Sequence, residues 1–422
     1  MSLKMNASPS NALKVLNLSK HDTMGRRFNN YDAHEALSHY GIDSSNVCWT
    51  LPKGEPSRVQ QAQSNWWTQW TPKLAQWGRQ TGNVNGYYRN ASSITELALY
   101  KQAQLLHFHI VHDEFLSLRD WLKIAAHKPL VWTWHDPYMM TGHCIYPLDC
   151  KNYETGCQSC PHLDYYFPIQ KDRSRLNLLE KSRIVKRLDP LVIVASEYME
   201  NLVRSSVYQD QVRLKRLPFG VELPMAIDQS LAKIQLGIPR DNIVIGFRAT
   251  PNIFKSVALI LNALKKLQQT YPGLPITIIT FEHEHYCDEL ANYWQIIDTG
   301  WIDDDQIGEY YSAMDFYLMP SIAEAFGLMA IEALAAGVKP IVANDTALPQ
   351  LVDAPNIGVS CRPDIDDLFN TIVIEINNLS ANQKIRDLRK QFASKEYGLN
   401  QFSKNMAEIY KEEYFLFQQK HQ

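Results

Sequence analysis

Short apolar runs without alternating polar positions recur along the first half of the chain, at 12–18, 105–111, 129–136 and 190–196. Runs of this kind suit parallel strands that are covered on both faces of a sheet. A polar loop follows the first run, and a helical pattern begins near Ala33. This strand–loop–helix order predicts an α/β domain of nucleotide-binding size.

A second series of apolar runs begins after residue 240, at 242–247, 275–281, 315–321 and 339–345. Helical patterns separate these runs, so the series predicts a second α/β domain. A hinge is expected near 217–224, where Pro and Gly interrupt the pattern. The predicted parts are a first domain at 1–220 with a cysteine-rich loop at 143–161, a second domain at 221–397, and a C-terminal helix at 398–422 that crosses back to the first domain.

Two stretches of the chain differ from these two series. A helical pattern at roughly 398–417 carries an apolar stripe of Phe402, Met406, Ile409, Tyr410 and Tyr414. The stretch at 46–88 is rich in Trp, Gln and Asn and fits no element, which favours a substrate-specific insertion.

Composition narrows the class of protein. The 422 residues are 45% hydrophobic and 21% charged, which is ordinary for an enzyme with two or three buried cores. The net charge of −3 and the lack of a basic tail argue against a nucleic-acid partner. The N-terminus has no signal-peptide pattern, and no apolar run reaches roughly 18 residues, so a cytoplasmic location is expected.

The segment with the most chemical information follows the run at 315–321. It predicts a short helix from about Gly327 to Ala336, with Gly337 suited to its C-terminal cap. Glu332 is the only charged residue in this apolar helix, and burying it without a partner would cost several kcal/mol. Its side chain points back toward Glu324, where a ribose diol could bind it. A backbone group or a neighbouring Arg is the alternative partner.

The edge of the second predicted sheet where the strands end, next to Glu324, favours the binding of an anion. Free amides at the start of the helix, on Gly327, Leu328 and Met329, point toward the ligand side, and the helix dipole adds to them. Arg248 and Lys255 follow the run at 242–247 and would lie at that edge, where two cations suit a departing diphosphate. Each of the two, taken alone, is compatible with an ordinary solvated loop charge.

These residues together resemble the retaining glycosyltransferase family four, which has the GT-B fold of two Rossmann-like domains facing across a cleft. The family's paired glutamates match Glu324 and Glu332, and its phosphate-binding pair matches Arg248 and Lys255. The resemblance implies that Glu332 holds the ribose hydroxyls and that Glu324 holds the transferred sugar. It further implies that the base of the donor lies near Trp301 and Ile302. It also implies donor contacts from Phe326, Gly327, Leu328 and Met329. The chain departs from the family at Ser256, where Gly is usual, and at Gln350, where Glu is usual.

The first domain contains TWHDPYMMTGHCIYPLDCKNYETGCQSCP, which resembles a bacterial exopolysaccharide branch of the family, with cyanobacterial heterocyst-envelope glucosyltransferases as candidate relatives. The family's interdomain histidine matches His135, which would contact the donor sugar or relay a proton. Gly25 lies where family members carry a Gly pair near the phosphates. Arg26 and Arg27 follow it and would meet an anionic acceptor instead.

Three other groups of residues are candidate sites. Cys144, Cys150, Cys157 and Cys160 have the ligand types of a structural zinc site, with packed thiols or disulfides as the alternatives. His283 and His285 have no obvious third ligand, which favours surface histidines. The basic segment at 171–187 is compatible with a membrane-surface helix, although a solvated helix face is commoner.

The predicted function is transfer of a hexose, first of all glucose from UDP-glucose, to a saccharide or lipid-linked acceptor in exopolysaccharide biosynthesis. No catalytic metal is expected, and His135, Glu324, Arg248 and Lys255 are the predicted catalytic residues. Contact with the inner face of the membrane would suit a lipid-linked acceptor. A nucleotide-sugar epimerase and a non-catalytic nucleotide-sugar-binding scaffold are the alternatives.

Overall fold

The computed structural model describes residues 12–22, 27–54, 57–84, 86–164, 167–302 and 306–421. The chain divides into two compact units. The first contains residues 1–220 together with 399–422, and the second contains residues 221–398. The divisions fall at the predicted position 220 and one residue after the predicted position 397.

A seven-stranded sheet forms the centre of the first unit, and all neighbouring strands in it are parallel. Across the sheet the strands are β3 (Val59–Gln61), β2 (Ile42–Cys48), β1 (Leu13–Ser19), β4 (Leu105–Phe108), β5 (Leu130–Thr133), β6 (Leu191–Val194) and β7 (Arg213–Arg216). The α-helices of this unit are α1 (His34–Ser38), α2 (Thr71–Thr81), α3 (Ser92–Thr95), α4 (Ala98–Gln102), α5 (Leu118–Ile124), α6 (Asn152–Thr155), α7 (Ser174–Leu188), α8 (Glu197–Ser205) and α17 (Leu399–His421).

Helix α17 supplies part of the core of the first unit. Its residues Phe402, Met406, Ile409 and Tyr410 are buried in one cluster with apolar residues of β1, β4, β5 and β6. The predicted stripe is therefore the face that covers the sheet, with Tyr414 partly buried beside it.

A six-stranded parallel sheet forms the centre of the second unit. Across the sheet the strands are β10 (Gln295–Asp298), β9 (Ile276–Glu282), β8 (Ile243–Ala249), β11 (Phe316–Met319), β12 (Lys339–Ala343) and β13 (Val359–Cys361). The α-helices are α9 (Gln229–Gln235), α10 (Val257–Thr270), α11 (Ile307–Ala313), α12 (Leu328–Ala335), α13 (Leu348–Leu351), α14 (Ile365–Asn377), α15 (Leu379–Lys384) and α16 (Arg386–Tyr397).

The order of strands places a switch point between β8 and β11. From β8 the chain continues to β9 and β10 on one side, and from β11 it continues to β12 and β13 on the other. Ligands of open parallel sheets bind beyond the carboxyl ends of the strands at such a point. Two Rossmann-like α/β units are present, as the fold prediction required.

The basic segment at 171–187 forms most of α7, which has a buried side. Leu178 and Val185 are buried, and so is Lys181, whose ammonium group donates hydrogen bonds to the carbonyls of Tyr138 (2.8 Å) and Thr141 (3.1 Å). Burial lowers the pKa of Lys181 to about 7. Within the described ranges, no helix combines the length and the apolar character needed to cross a membrane. Contact of α7 with a membrane surface stays a prediction.

Candidate functional site

The loop between β11 and α12 has a conformation that only glycine adopts easily. Gly327 has φ of 144°, and a Cβ atom there would lie 2.3 Å from Cδ2 of Leu348. The carbonyl of Gly327 accepts hydrogen bonds from the amides of Ala330 and Ile331, so this residue starts the helix. Within the described part of the chain, the amides of Gly327, Leu328 and Met329 have no partner and can meet an anion.

Replacing Gly327 with alanine should destabilise the second unit by about 2–4 kcal/mol, because backbone strain adds to a collision with Leu348. The urea midpoint of the purified variant measures this loss. Gly273 is the matched control, since a Cβ atom there has nothing within 4 Å and its change to alanine should be nearly neutral. Equal midpoints for the two variants would contradict the prediction.

Lys255 and Glu324 come together although 69 residues separate them. The ammonium group lies 2.5 Å from the carboxylate, and both side chains are largely buried. The two loops that carry them are joined by a hydrogen bond from the amide of Ile322 to the carbonyl of Phe254 (3.0 Å). Asn252 caps the short 3₁₀ turn at Ile253–Lys255. Lys255 is therefore held at the switch point and is no freely solvated loop charge.

Arg248 lies at the carboxyl end of β8 and forms an ion pair with Glu282 at the end of β9. Burial by itself lowers the pKa of Arg248, but the hydrogen bond and charge of Glu282 raise it overall. The charge of Glu324 contributes in the same direction. Glu282 was missed in the sequence, since nothing local distinguishes it from the neighbouring charges of the FEHEHY segment.

Glu332 is almost fully buried, with 1% of its surface exposed. Its Oε2 atom accepts a hydrogen bond from the hydroxyl of Tyr311 (3.1 Å), a residue on helix α11. The structure thus pairs this carboxylate with a tyrosine hydroxyl. Burial and the charges of Glu332 and Glu324 raise the pKa of Tyr317, so both carboxylates lie near this residue. A buried carboxylate so placed remains suited to accept hydrogen bonds from a ligand's hydroxyl groups.

The two departures from the family pattern have different consequences. Ser256 adopts φ of 55°, in the left-handed region where glycine is favoured. The family's glycine therefore matches the backbone here, and this chain tolerates serine in its place. Gln350 is exposed on the short helix α13.

The predicted base-binding residues follow Gly300. Trp301 is 77% exposed, which leaves its indole ring available for stacking. Ile302 is partly buried against the core of the unit. Phe326 is buried and packs edge-on against Tyr397, so only its backbone is suited to ligand contact.

In the first unit, hydrogen bonds fix the tautomer of His135. The side-chain amide of Asn17 donates to the carbonyl of Ser45 (3.1 Å), so its oxygen faces Nε2 of His109 (3.2 Å). His109 must then carry its proton on Nε2 and accept from His135 through Nδ1 (3.1 Å). His135 in turn is protonated on Nε2, and its buried Nδ1 has no partner among the described residues. That nitrogen can accept a hydrogen bond, for example from a sugar hydroxyl.

Burial lowers the pKa of His135 to about 3, below its value of 6.5 in an unfolded chain. The folded state therefore binds fewer protons than the unfolded state between these values, and stability is full above pH 6.5 and falls on acidification. The loss from this group at pH 5 is about 2 kcal/mol. His135→Asn should reduce the drop in urea midpoint between pH 7 and pH 5, whereas His127→Asn, at an exposed position, should not. An unchanged drop in His135→Asn would contradict this.

The predicted contacts in the loop after β1 are only partly described. Gly25 and Arg26 lie outside the described residues, while Arg27 is described and half-buried.

All seven cysteines are free thiols. Burial raises the pKa of Cys144 to about 11 and that of Cys157 to about 12. No three of the four clustered sulfurs lie within 4.8 Å of one another, and a structural zinc site at these cysteines stays a prediction.

One group of three metal-ligating side chains does form in the described part of the chain. Ligand atoms of His285, Asp288 and Asp298 lie within 4.8 Å of one another, with the first two exposed. The expectation that His285 has no third ligand nearby was wrong, because the parallel pairing of β9 and β10 brings Asp298 to the same sheet edge. Exposed groups of this kind are common on protein surfaces.

Part of the chain is similar in sequence to known glycosyltransferases. Residues 228–398, less than half of the chain, match the family model of glycosyl transferases group 1. A putative colanic acid biosynthesis glycosyl transferase, WcaC of Escherichia coli, is 36% identical over 114 residues, or 25% of this chain and 27% of that relative. The chain thus spans only about a quarter of the length of that curated relative.

Two solved structures share the fold over nearly the whole chain. Sucrose-phosphate synthase from Thermosynechococcus elongatus superposes with a TM-score of 0.70 at 17% identity, covering 95% of this chain and 98% of that one. HepE of Anabaena, solved in complex with UDP and glucose, superposes with a TM-score of 0.63 at 17% identity, covering 95% and 100%. These likenesses confirm the predicted GT-B fold, and residues 228–398 match the glycosyl transferases group 1 model.

Proposed function

We propose that this protein is a retaining glycosyltransferase that moves glucose from UDP-glucose to a saccharide or lipid-linked acceptor in exopolysaccharide biosynthesis. The observation that carries the proposal is the grouping of Lys255, Glu324 and Arg248 at one switch point, with Glu332 on the helix that follows, inside the segment that matches the group 1 model. HepE, which has the same fold, binds UDP and glucose, and WcaC is named for colanic acid biosynthesis. These names support the choice of donor and of pathway.

The chemistry assigned to the site is stabilisation of a leaving group. As the anomeric C–O bond breaks, its electron pair moves to the UDP diphosphate, and Lys255 and Arg248 stabilise the growing negative charge. The open amides of Gly327, Leu328 and Met329 face the same charge. An acceptor hydroxyl then forms the new bond to the anomeric carbon from the face that UDP leaves, which retains configuration. Its proton goes to the departing diphosphate.

The remaining contacts orient the donor. Glu332 binds the ribose hydroxyls, Glu324 binds hydroxyls of the transferred sugar, and Trp301 stacks on the base. Binding of the donor diphosphate would draw Lys255 partly away from Glu324, which frees that carboxylate for the sugar. His135 remains a predicted contact to the donor sugar through its Nδ1.

A panel of UDP- and GDP-sugars, with and without acceptor extract and EDTA, tests the proposal through nucleotide release. We expect release from UDP-glucose that requires acceptor and persists in EDTA, with retained configuration in the product. A product formed without acceptor would favour the epimerase. Tight donor binding without release under any condition would favour a non-catalytic scaffold.

A further inference from the structure

A cavity of about 700 Å³ lies in the first unit, beside helices α5 and α7 and the segment around residues 83–89. This volume suits a ligand of drug or disaccharide size. Five cationic side chains line it: Arg89, Arg119, Lys123, Arg173 and Arg183. Two carboxylates, Asp120 and Glu180, also line it.

Both carboxylates already have partners. Asp120 is buried and accepts hydrogen bonds from the amides of Ser117 and Ala91, both at 3.0 Å. Glu180 forms an ion pair with Arg173 at 2.9 Å. The lining therefore has five cations against two carboxylates, an excess of three positive charges, and the oxygens of Asp120 are directed at backbone amides.

Four of the five cations, Arg89, Arg119, Lys123 and Arg183, are exposed and form no ion pair with any residue of the described ranges. The guanidinium of Arg89 lies over the ring of Trp67, 4.7 Å from its centroid, which restricts its movement. A concave surface with an excess of one charge sign concentrates the electric field and attracts the opposite charge. In a chain of net charge −3, such a cluster is a local feature and does not follow from a basic protein overall.

We propose that this cavity binds the phosphate groups of a phosphorylated saccharide acceptor, an inference that rests on the proposed glycosyltransferase function. Arginine side chains bind phosphate oxygens through paired hydrogen bonds. A ligand with a diphosphate carries enough negative charge to bind several of the four cations, whereas a ligand with a single carboxylate does not. Tyr87 lines the same cavity and offers an aromatic ring to the attached sugar.

The phosphate could belong to a soluble saccharide or to a lipid-linked one. Leu176 and Leu179, which are 49% and 41% exposed, each precede a cavity residue of α7 by one helical turn. They would meet the lipid portion of a lipid-linked acceptor. Both sources share the diphosphate chemistry of the cavity.

The test is calorimetric titration of the full-length protein with inorganic pyrophosphate while UDP saturates the donor site. We expect a remaining binding event that Arg119→Ala with Arg183→Ala weakens about tenfold or more. Arg175→Ala with Arg187→Ala is the matched control, because these exposed arginines lie on α7 outside the cavity. The control should bind like the wild type.

Phosphatidylcholine vesicles that carry farnesyl diphosphate distinguish the two sources. Tighter binding to these vesicles than to pyrophosphate, lost in Leu176→Ser with Leu179→Ser, supports a lipid-linked acceptor, and equal binding supports a soluble one. Absence of pyrophosphate binding under UDP saturation, or equal affinity in the cavity variant, would overturn the proposal. The cavity variant should keep its UDP affinity. A wild-type protein that does not bind UDP would count against the proposed donor site and not against the cavity.

Discussion

Replacing Lys255 with alanine should lower the turnover of UDP-glucose by about 10²–10³-fold, a typical cost of removing one preorganised electrostatic group from an active site. The effect should fall on kcat more than on KM, because the charge of the diphosphate grows as the bond to the sugar breaks. Nucleotide release under saturating acceptor measures both constants. Glu324→Gln, made alone and with Lys255→Ala, tests whether the two residues act as a unit.

The control for this prediction is Lys265→Ala. Lys265 forms an ion pair with Glu289 on the surface, and both side chains are well exposed. Exposed pairs contribute roughly 0–1 kcal/mol, so this variant should keep its stability and its rate. A Lys255→Ala protein that folds with an unchanged urea midpoint and loses less than about fivefold in rate would refute the assigned role.

Replacing Glu332 with glutamine should weaken UDP binding by about 10–100-fold, because a charged acceptor of ribose hydroxyls contributes about 1.5–3 kcal/mol. The decisive comparison uses 2′-deoxy-UDP and 3′-deoxy-UDP. The wild type should bind each analogue more weakly than UDP. Glu332→Gln should discriminate far less between UDP and the analogues. The hydroxyl that each analogue lacks and the charge that the variant lacks belong to one interaction. Isothermal titration of both proteins with UDP and each analogue gives one coupling energy for each hydroxyl.

Tyr311→Phe serves as the matched variant, since it removes the hydroxyl that contacts Glu332 and keeps the ring. It should retain discrimination against the deoxy analogues, with a smaller loss of affinity. Equal affinity of the wild-type protein for UDP and both analogues would exclude a ribose contact by Glu332.

Local sequence determined the central part of the fold. Central strands such as β8 and β12 are buried on both faces, so they must be apolar throughout and can be read directly. The strands that were missed are β2, β3, β7, β10 and β13. β7, with the sequence RLKR, is an edge strand whose side chains are half-buried or exposed, so its pattern carries little apolar signal. β2 is polar because Ser44 and Asn46 belong to the buried network of Asn17.

The residue pattern also predicts the charged residues of the candidate site, because Glu332 stands alone in an apolar helix and Glu324, Arg248 and Lys255 follow strands that end at one sheet edge. The partners of these charges depend on how distant segments pack together. Lys255 pairs with Glu324 and Arg248 with Glu282 because the parallel order of β9, β8 and β11 brings their ends together. The tautomer of His135 and the cationic cavity likewise depend on residues far apart in the chain. Such contacts are set by three-dimensional packing, which residue spacing along one strand or helix does not encode.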